Sequence, residues 1–349
     1  MQKSFLVTIP LFASLAVLPF QCNQISDGGL YFSEDMGENW RQLTVKEEKV
    51  SIGSLDILSL AIDRNNPAVI YLGTRENGLY RSCSWGGHWY KLKDKNGVFS
   101  GRANVYDIAI DPKDSHRLYA AVYQDKKGRL FRSQDDGDSW EEVYVVSEEK
   151  YAVFAVAVDD YDPSIIYMGT AQGGFLKSTD YGKSWELIKW FDDVISDIAI
   201  NPQDTRVVYL STFQKGIYKT SDKGINWQSL EEDLRKLRQA EKVEKIVIDS
   251  QRPDVVYIGS EYGLLTSKNA GQSWQEVKIV MPPESKPVLS LAVDPQNTDH
   301  LYYGAGSILY RSLDQGINWT VHELPSRRDL KTIAIDPKNP HFIYVGMHK

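Results

Sequence analysis

The sequence contains only two cysteines, Cys22 and Cys83, among 349 residues. A chain with so few cysteines is not a small scaffold held together by several disulfides. It also lacks the phosphate-binding motifs G-x-x-x-x-G-K-S/T and G-x-G-x-x-G, the nucleophile motif G-x-S-x-G, and the metal or redox motifs H-E-x-x-H and C-x-x-C. Its net charge of −7 disfavours nonspecific binding to nucleic acid. We therefore predict no cofactor and no nucleic-acid partner.

Candidate metal ligands are few and scattered. The six histidines fall in different parts of the chain, at positions 88, 116, 300, 322, 341 and 348. The acidic stretch 135–138 lacks the ligand spacing of an EF-hand loop. Neither pattern is typical of a metal site, so no metal is predicted.

What the sequence does contain is one ten-residue pattern, repeated seven times. The pattern is an aromatic residue or Leu, any residue, Ser or Thr, any residue, Asp, any residue, Gly, two further residues and Trp. Its tryptophans recur every 42 to 51 residues. The copies lie at 31–40, 80–89, 131–140, 176–185, 218–227, 265–274 and 310–319.

Each part of this pattern has a physical role in a β-hairpin. The glycine suits a turn position with positive φ, where a Cβ would clash. The aspartate can accept hydrogen bonds from backbone N–H groups of its own turn. The tryptophan brings a large apolar surface that one hairpin cannot bury alone, so neighbouring units must stack. Repeats of about this length, each with four strands, are typical of β-propeller blades.

The pattern resembles the Asp-box, or BNR, repeat, and the resemblance covers essentially the whole chain after its N-terminal segment. It implies an all-β, seven-bladed propeller in which the box residues are structural. Ser84 and Asn269 replace the usual aspartate in two copies, and we expect both turns to form, the Ser84 turn less firmly fixed. No Trp-Asp dipeptide occurs, which argues against a WD40 propeller. The structural box residues predicted in this way are Asp35, Trp40, Trp89, Asp135, Trp140, Asp180, Trp185, Asp222, Trp227, Trp274, Asp314 and Trp319.

Two further patterns lie between successive boxes. Alternating apolar residues, as in 107–112 and 332–337, predict an inner strand that closes in Asp/Asn-Pro or a variant of it. A second strand then carries a tyrosine in each repeat, usually before Gly. Because the first hairpin (29–45) lacks inner strands and the last inner strands (331–346) lack a hairpin, we predict that they form one composite blade, which closes the ring.

The N-terminal segment has the character of an export signal. Lys3 precedes a largely apolar run from Phe5 to Phe20, and Pro10 and Pro19 disfavour a spanning helix. We predict a signal peptide at 1–21, a short tether at 22–28 and the propeller at 29–349. Cys22 is a candidate lipid acceptor, which would hold an exported protein at a membrane in the periplasm or at the cell surface. The preceding residues 18–21 match a lipobox poorly, so an unlipidated tether is the alternative.

An insertion at residues 229–243 interrupts the regular spacing of the repeats. Leucines at 230, 234 and 237 recur at helical spacing, and Ser229 with Glu232 has the form of a capping box. We predict a helix here. Its leucine face would either dock a partner or, as we prefer, pack on the blade beneath.

Ligand sites in propellers lie on the loops that join blades and on those between second and third strands. Each such residue here is either a binding residue or an ordinary solvated loop residue. A basic set would favour a protein partner, whereas Trp190 and Tyr262 in an acidic groove would favour a sugar. The predicted binding residues are Arg75, Arg102, Lys126, Lys127, Trp190, Tyr262, Arg327 and Arg328.

The chain as a whole resembles the photosystem II stability and assembly factor family and related exported bacterial propellers. That resemblance implies a non-catalytic, monomeric scaffold that binds a membrane-associated protein. The alternative is a carbohydrate-binding or glycosidase-like propeller related to sialidases or xyloglucanases. However, the Arg-Ile-Pro element of sialidases is missing, and Asp-box xyloglucanases cleave glycan between two propellers. Sortilin-type receptors have ten blades and a cysteine-rich module, which this sequence lacks. A surface spacer without a single ligand is a third possibility.

Overall fold

A computed structural model describes residues 27–44 and 52–349. Within these ranges, β-strands form seven separate sheets, each of four antiparallel strands. The sheets are the blades of a propeller, so the predicted all-β fold and blade number are confirmed. The predicted signal peptide and Cys22 lie outside the described residues. No helix in the described part of the chain is long and apolar enough to cross a membrane.

Blades 2 to 4 follow one another along the chain. Blade 2 contains β3 (Ile57–Ile62), β4 (Ile70–Thr74), β5 (Leu79–Ser82) and β6 (Tyr90–Lys91). Blade 3 contains β7 (Asn104–Ile110), β8 (Leu118–Gln124), β9 (Lys127–Ser133) and β10 (Glu141–Val145). Blade 4 contains β11 (Val153–Val158), β12 (Ile166–Thr170), β13 (Gly174–Ser178) and β14 (Glu186–Trp190).

Blades 5 to 7 have the same order of strands. Blade 5 contains β15 (Ile195–Ile200), β16 (Val208–Thr212), β17 (Gly216–Thr220) and β18 (Gln228–Ser229). Blade 6 contains β19 (Val243–Ile248), β20 (Val256–Ser260), β21 (Leu264–Ser267) and β22 (Gln275–Glu276). Blade 7 contains β23 (Ser290–Val293), β24 (Leu301–Ala305), β25 (Ile308–Ser312) and β26 (Thr320–Glu323).

Blade 1 is the composite blade that the sequence predicted. It joins β1 (Leu30–Ser33) and β2 (Arg41–Gln42) to β27 (Asp329–Ile335) and β28 (Ile343–His348), in the order β2-β1-β28-β27. The pairing of β1 with β28 sets Leu30 opposite Gly346 and Ser33 opposite Ile343. The two ends of the described chain therefore close the ring through main-chain hydrogen bonds.

The Asp-box turns are fixed by a small set of hydrogen bonds. In the first box, the Ser33 hydroxyl accepts the Gly37 N–H at 2.8 Å and donates to Asp35 Oδ1 at 2.8 Å. Asp35 Oδ1 also accepts the Asn39 N–H at 2.9 Å, and the Trp40 indole N–H donates to the Gly37 carbonyl. Gly37 has a φ of 89°, as the sequence pattern required. This network explains why Ser, Asp, Gly and Trp recur together.

The two boxes without aspartate keep the turn by the same means. Asn269 Oδ1 accepts the Ser273 N–H at 2.9 Å, and its amide donates to the Ser273 hydroxyl at 2.8 Å. Ser84 is shorter, but its hydroxyl accepts the His88 N–H at 2.9 Å. Both turns therefore form, as we expected.

At six of the seven seams, neighbouring blades are joined at the carbonyl of the residue that precedes a box glycine. The Tyr119 hydroxyl and the Arg132 guanidinium of blade 3 both donate to the Tyr181 carbonyl of blade 4, at 3.1 and 2.7 Å. A Lys or Arg makes the same bond in blades 2, 4, 5 and 7 through the following side chains: Arg81, Lys177, Lys219 and Arg311. In blades 2, 3, 4, 5 and 7, the third strand thus contributes a cation to the seam with the next blade.

The seam between blades 6 and 7 is an exception. In blade 6, Thr266 occupies the position at which blades 2, 3, 4, 5 and 7 carry a Lys or Arg. Arg252, from a loop of blade 6, supplies the cation instead. Arg252 Nη2 donates to the Thr298 carbonyl of blade 7 at 3.0 Å, while its Nε donates to Asp249 at 2.8 Å. This seam is therefore also closed by an arginine, but from a different position.

Hydrophobic clusters fill the spaces between adjacent blades. One cluster combines Tyr71 and Leu79 of blade 2 with Ile108, Phe131 and Trp140 of blade 3, all buried. The blades approach closely because the second strand carries a glycine in five of the seven blades, as Gly73 does in β4. A Cβ on Gly73 would lie 2.7 Å from the Val105 carbonyl oxygen of the next blade.

The predicted helix at 229–243 is wrong, because these residues contain only one short 3-10 helix, Leu234–Lys236. Ser229 instead belongs to β18, and the Leu230 N–H donates to the Ile217 carbonyl. Leu230, Leu234 and Ala240 are buried against blades 5 and 6, so the leucine stripe packs on the blades without forming a helix. The spacing of apolar residues that suggested a helix also fits an irregular loop that buries an apolar side chain every few residues.

Deleting residues 331–349 should unfold the protein, because it removes nearly all of β27 and β28 from the composite blade. We expect circular dichroism to show no cooperative melting transition at the temperature of the full chain. Deletion of Lys349 alone is the matched control and should retain the transition. A 331–349 deletion that melts cooperatively at the full-chain temperature would contradict ring closure as a requirement for folding.

The box aspartates predict a loss of stability in acid. Hydrogen bonds from the Ser184 side chain and backbone and from the Ser178 hydroxyl lower the pKa of Asp180 to about 2. Similar bonds lower the pKa of Asp35 and of Asp222 to about 2. The pKa of these aspartates in the folded protein lies below the ordinary value of 3.8. Their hydrogen bonds therefore stabilise the fold fully above pH 3.8, and this stabilisation is lost as the pH falls toward 2.

The variant Asp180→Asn should weaken this dependence, because an asparagine can reproduce the bonds that Asn269 makes in blade 6. We expect near-wild-type stability at neutral pH and a shallower loss between pH 4 and 2, measured by urea unfolding. An acid dependence as steep as that of the wild type would show that the Asp180 carboxylate does not contribute.

Candidate functional site

The predicted binding residues all lie at one end of the ring, which we call the loop face. This end carries the connections between blades and the loops between second and third strands. Arg102, Arg327 and Arg328 lie in connections, whereas Lys127 begins β9 and Trp190 ends β14. Loops between second and third strands carry the remaining three, Arg75, Lys126 and Tyr262. The opposite end, the box face, carries the Asp-box turns.

Bulges shape the centre of the loop face. Six of the seven innermost strands carry a bulge near their start, and a bulge re-aims the side chains beside it. Their extra residues, together with Leu289 of blade 7, line the mouth of a cavity of about 180 Å³ on the ring axis. These mouth residues are Leu58, Tyr106, Phe154, Ser196, Glu244, Leu289 and Lys331.

Charged groups lie in this cavity, which we call the axial cavity. Lys245 Nζ donates to Asp197 Oδ1 at 2.9 Å, and Asp197 Oδ2 accepts the Ile246 N–H at 2.9 Å. At the mouth, Lys331 Nζ lies 3.2 Å from Glu244 Oε2. Two ammonium groups thus pair with two carboxylates between strands of different blades.

Asp107 is the third acidic residue of the axial cavity, after Asp197 and Glu244. Its two oxygens accept backbone N–H groups from Val156 of the next blade and from Ile108, each at 2.9 Å. Burial raises the pKa of Asp107 to about 6, and the nearby charge of Lys245 opposes that rise. Asp107 therefore changes charge close to neutral pH.

A second charged group surrounds Asp56 on the loop face. Arg75 Nε lies 3.4 Å from Asp56 Oδ2, and Arg328 Nη1 lies 3.8 Å from Asp56 Oδ1. His348 Nδ1 lies 3.1 Å from Asp56 Oδ1, and the Lys349 N–H donates to the same oxygen at 2.6 Å. Burial, opposed by the charge of Asp56, lowers the pKa of His348. We call this arrangement the Asp56 cluster.

The structure thus brings Arg75 and Arg328 together at the Asp56 carboxylate. Trp190 is 51% exposed at the outer edge of blade 4. Tyr262 is half-buried in blade 6, so blade 5 lies between it and Trp190. Arg102, Lys126 and Arg327 are exposed, whereas Lys127 Nζ donates to the Ser147 carbonyl at 3.0 Å.

Sequence reasoning missed the groups that organise this face, namely Asp56, Asp107, Asp197, Glu244, Lys245, Lys331 and His348. Charged residues within the predicted inner strands were an available signal, because such strands are otherwise apolar. Among residues 27–44 and 52–349, no group of three or more His, Cys, Asp or Glu side chains is arranged to hold a metal ion.

The fold and the site together define a seven-bladed Asp-box propeller with a charged axial cavity and a loop face. The family model described as photosynthesis system II assembly factor YCF48 matches residues 99–235 and 191–326. The chain belongs to this family.

Solved structures show the same architecture at low identity. YCF48 from Cyanidioschyzon merolae superposes with a TM-score of 0.65 at 13% identity, covering 88% of this chain and 98% of that chain. A structure described as YCF48 bound to D1 peptide has a TM-score of 0.62 at 14% identity, covering 84% of this chain and 94% of that chain. The GH74 xyloglucanase of Xanthomonas campestris has a TM-score of 0.71 at 18% identity, covering 89% of this chain and 52% of that chain.

Among curated proteins, the chain is similar to xyloglucanases over part of its length. It is 25% identical over 183 residues to the oligoxyloglucan-reducing end-specific xyloglucanase of Emericella nidulans. That match covers 49% of this chain and 21% of the enzyme. The chain thus spans about a fifth of the length of the curated relatives it matches.

Asp56 should contribute measurably to stability, because Asp56→Ala leaves the Lys349 N–H without its acceptor and removes the carboxylate that lies beside Arg75 and His348. Hydrogen bonds to a charged group contribute about 1.5–3 kcal/mol, so we expect the free energy of unfolding to fall by about 2 kcal/mol. The control is Asp160→Ala, which removes an exposed pair with Arg64 on the box face, worth less than about 1 kcal/mol. Equal losses in urea unfolding would contradict a special role for Asp56.

Proposed function

We propose that this protein is a non-catalytic, exported scaffold whose loop face binds a segment of a membrane-associated partner protein. Membership of the YCF48 assembly-factor family supports a scaffold role. A structural neighbour that matches over nearly its whole length is described as bound to a peptide, which supports a protein ligand. The partner of the present chain is part of the proposal.

The Asp56 cluster is the observation that carries the proposal. Three side chains, Arg75, Arg328 and His348, share the single carboxylate of Asp56. The Arg75 side chain is 45% exposed, so its guanidinium can reach a second acceptor. Guanidinium groups bind carboxylates with two parallel hydrogen bonds, which suits an acidic group of a peptide.

The rigidity of the ring favours binding. Main-chain pairing closes the composite blade, and the Arg75 N–H donates to the Asp56 carbonyl, which joins two loops of the cluster. A partner segment would meet a preorganised surface, so binding would require little ordering of this protein. The exposed cations Arg102, Lys126 and Arg327 extend the same face.

A glycosidase is the second candidate, favoured by the similarity to xyloglucanases. Inverting hydrolysis needs two carboxyl groups about 6.5–9.5 Å apart across an open cleft. Here Glu244 and Asp197 are paired with lysines, and Asp56 is shared among cations. Asp107 lies within a cavity of about 180 Å³, which is narrow for a polysaccharide chain. These features favour the scaffold.

The proposal predicts where a partner will crosslink. The tagged full-length protein would be treated with an amine-reactive crosslinker in its native membranes and purified. Mass spectrometry should place the crosslinks to one stoichiometric partner on loop-face lysines such as Lys126 and Lys286. Crosslinks concentrated on Lys113, Lys183 and Lys338 of the box face would contradict the assignment of the binding surface.

Charge reversal tests the same surface. Arg75→Glu combined with Arg327→Glu should reduce capture of that partner about tenfold, equivalent to about 1.4 kcal/mol. Lys113→Glu combined with Lys183→Glu on the box face is the matched control and should leave capture unchanged. Release of oligosaccharides from xyloglucan by the wild-type protein, lost in Asp107→Asn, would instead establish the glycosidase.

Export and anchoring through Cys22 are part of the same proposal. The apolar segment that precedes Cys22 supports them. Cys22→Ser should move the protein from the membrane fraction to the soluble fraction after cell lysis. An unchanged distribution would show that another feature holds the protein at the membrane.

A further inference from the structure

We propose that the axial cavity binds a primary ammonium group carried on an unbranched alkyl chain, as in a lysine side chain of a partner protein. The inference deepens the proposed function, since it adds a specificity pocket to the loop face. It also applies to a free alkylamine, so it can be tested without the partner.

The hydrogen bonds in the cavity leave one carboxylate, that of Asp107, without a direct bond from a cation. The cavity contains three acids, Asp107, Asp197 and Glu244, and two bases, Lys245 and Lys331. Lys245 donates to Asp197 and Lys331 to Glu244. When all five groups are ionised, three negative and two positive charges leave a net charge of −1 beside Asp107.

Asp107 retains unused capacity to accept hydrogen bonds. Each oxygen accepts one backbone N–H, from Val156 and from Ile108, whereas a carboxylate offers about four acceptor sites. The carboxylate lines the cavity, so a donor that enters from the loop face can reach it. An ammonium group supplies both the missing positive charge and the hydrogen bonds.

The mouth of the cavity suits an alkyl chain behind that ammonium group. Tyr106 and Phe154 form an edge-to-face pair with ring centroids 4.7 Å apart, and both are half-buried. Leu58 and Leu289 line the same mouth. Aromatic faces attract cations and pack well against methylene groups, so this wall guides an alkylammonium inward.

The surroundings favour this ligand over a bare cation. A hydrated metal ion prefers several oxygen ligands, and the described residues offer no group of three suitable side chains. A simple monovalent cation has no methylene chain to pack against the aromatic mouth. An unbranched chain ending in an ammonium group uses both parts of the site.

Binding should follow the ionisation of Asp107. The charged groups that face it are Lys245 and Asp197 within the cavity and Glu244 and Lys331 at the mouth. The Asp107 pKa of about 6 means that most of its carboxylate is protonated at pH 5 and ionised at pH 8. Affinity should therefore rise about tenfold or more from pH 5 to pH 8.

Calorimetry with n-pentylammonium chloride tests the site on the full protein, and the neutral isostere 1-pentanol controls for the alkyl chain. We expect binding of the amine at pH 8, at least tenfold weaker binding at pH 5, and at least tenfold weaker binding of the alcohol. In parallel, NMR of carboxyl-labelled aspartate should show the Asp107 titration move to lower pH when the amine is bound.

Asp107→Asn should abolish amine binding, whereas Asp160→Asn on the box face should leave it unchanged. If Asp107→Asn does not fold, the pH dependence and the alcohol comparison on the wild-type protein still decide. Equal affinity for the alcohol, affinity independent of pH, or full competition by millimolar sodium would each overturn the proposal. Failure of amine binding would leave the crosslinks on the loop face unaffected, so the two proposals can fail separately.

Discussion

The ring depends on the carbonyl group that precedes the box glycine, which joins neighbouring blades at six of the seven seams. The residue that carries it has a positive φ although it is not a glycine, as in Tyr181 with a φ of 61°. Such a conformation is unfavourable for most side chains. The hydrogen bonds of the Asp-box hold the turn there, and its carbonyl accepts the tyrosine and the arginine of the preceding blade. A local turn motif thereby becomes an inter-blade contact.

This arrangement divides the molecule into a structural end and a variable end. The box face repeats the same bonds in blade after blade, so its residues are constrained by the ring itself. The loop face also repeats some main-chain bonds, such as Arg75 N–H to the Asp56 carbonyl and Ala171 N–H to the Ala152 carbonyl, but its connections differ in length and charge. Binding residues can therefore accumulate there, as the Asp56 cluster and the axial cavity illustrate, without loss of the inter-blade contacts.

The sequence predicted the fold well because a sevenfold pattern leaves little freedom. It predicted the composite blade from the position of incomplete repeats, and Arg75 and Arg328 from their loops. The helix at 229–243 was wrong because leucines at helical spacing also fit an irregular loop that packs on two blades. The Asp56 cluster could not be predicted, since it joins residues more than 270 positions apart, such as Arg75 and His348. The axial cavity was missed because an alternating apolar pattern does not reveal the bulges that re-aim Tyr106 and Glu244.

The seam between blades 6 and 7 shows that the repeats differ in how they contact their neighbours. Five blades use the third strand to reach their neighbour, but blade 6 uses Arg252 from a loop, with Thr266 in the usual place. Blade 6 is thus matched to blade 7 and is not interchangeable with every other blade. A rearranged chain in which blade 6 preceded blade 3 or blade 4 would set Arg252 against a loop with Ser115 or Pro163 where blade 7 has Thr298. The contact that Arg252 makes therefore ties the position of blade 6 to the blade that follows it in the ring.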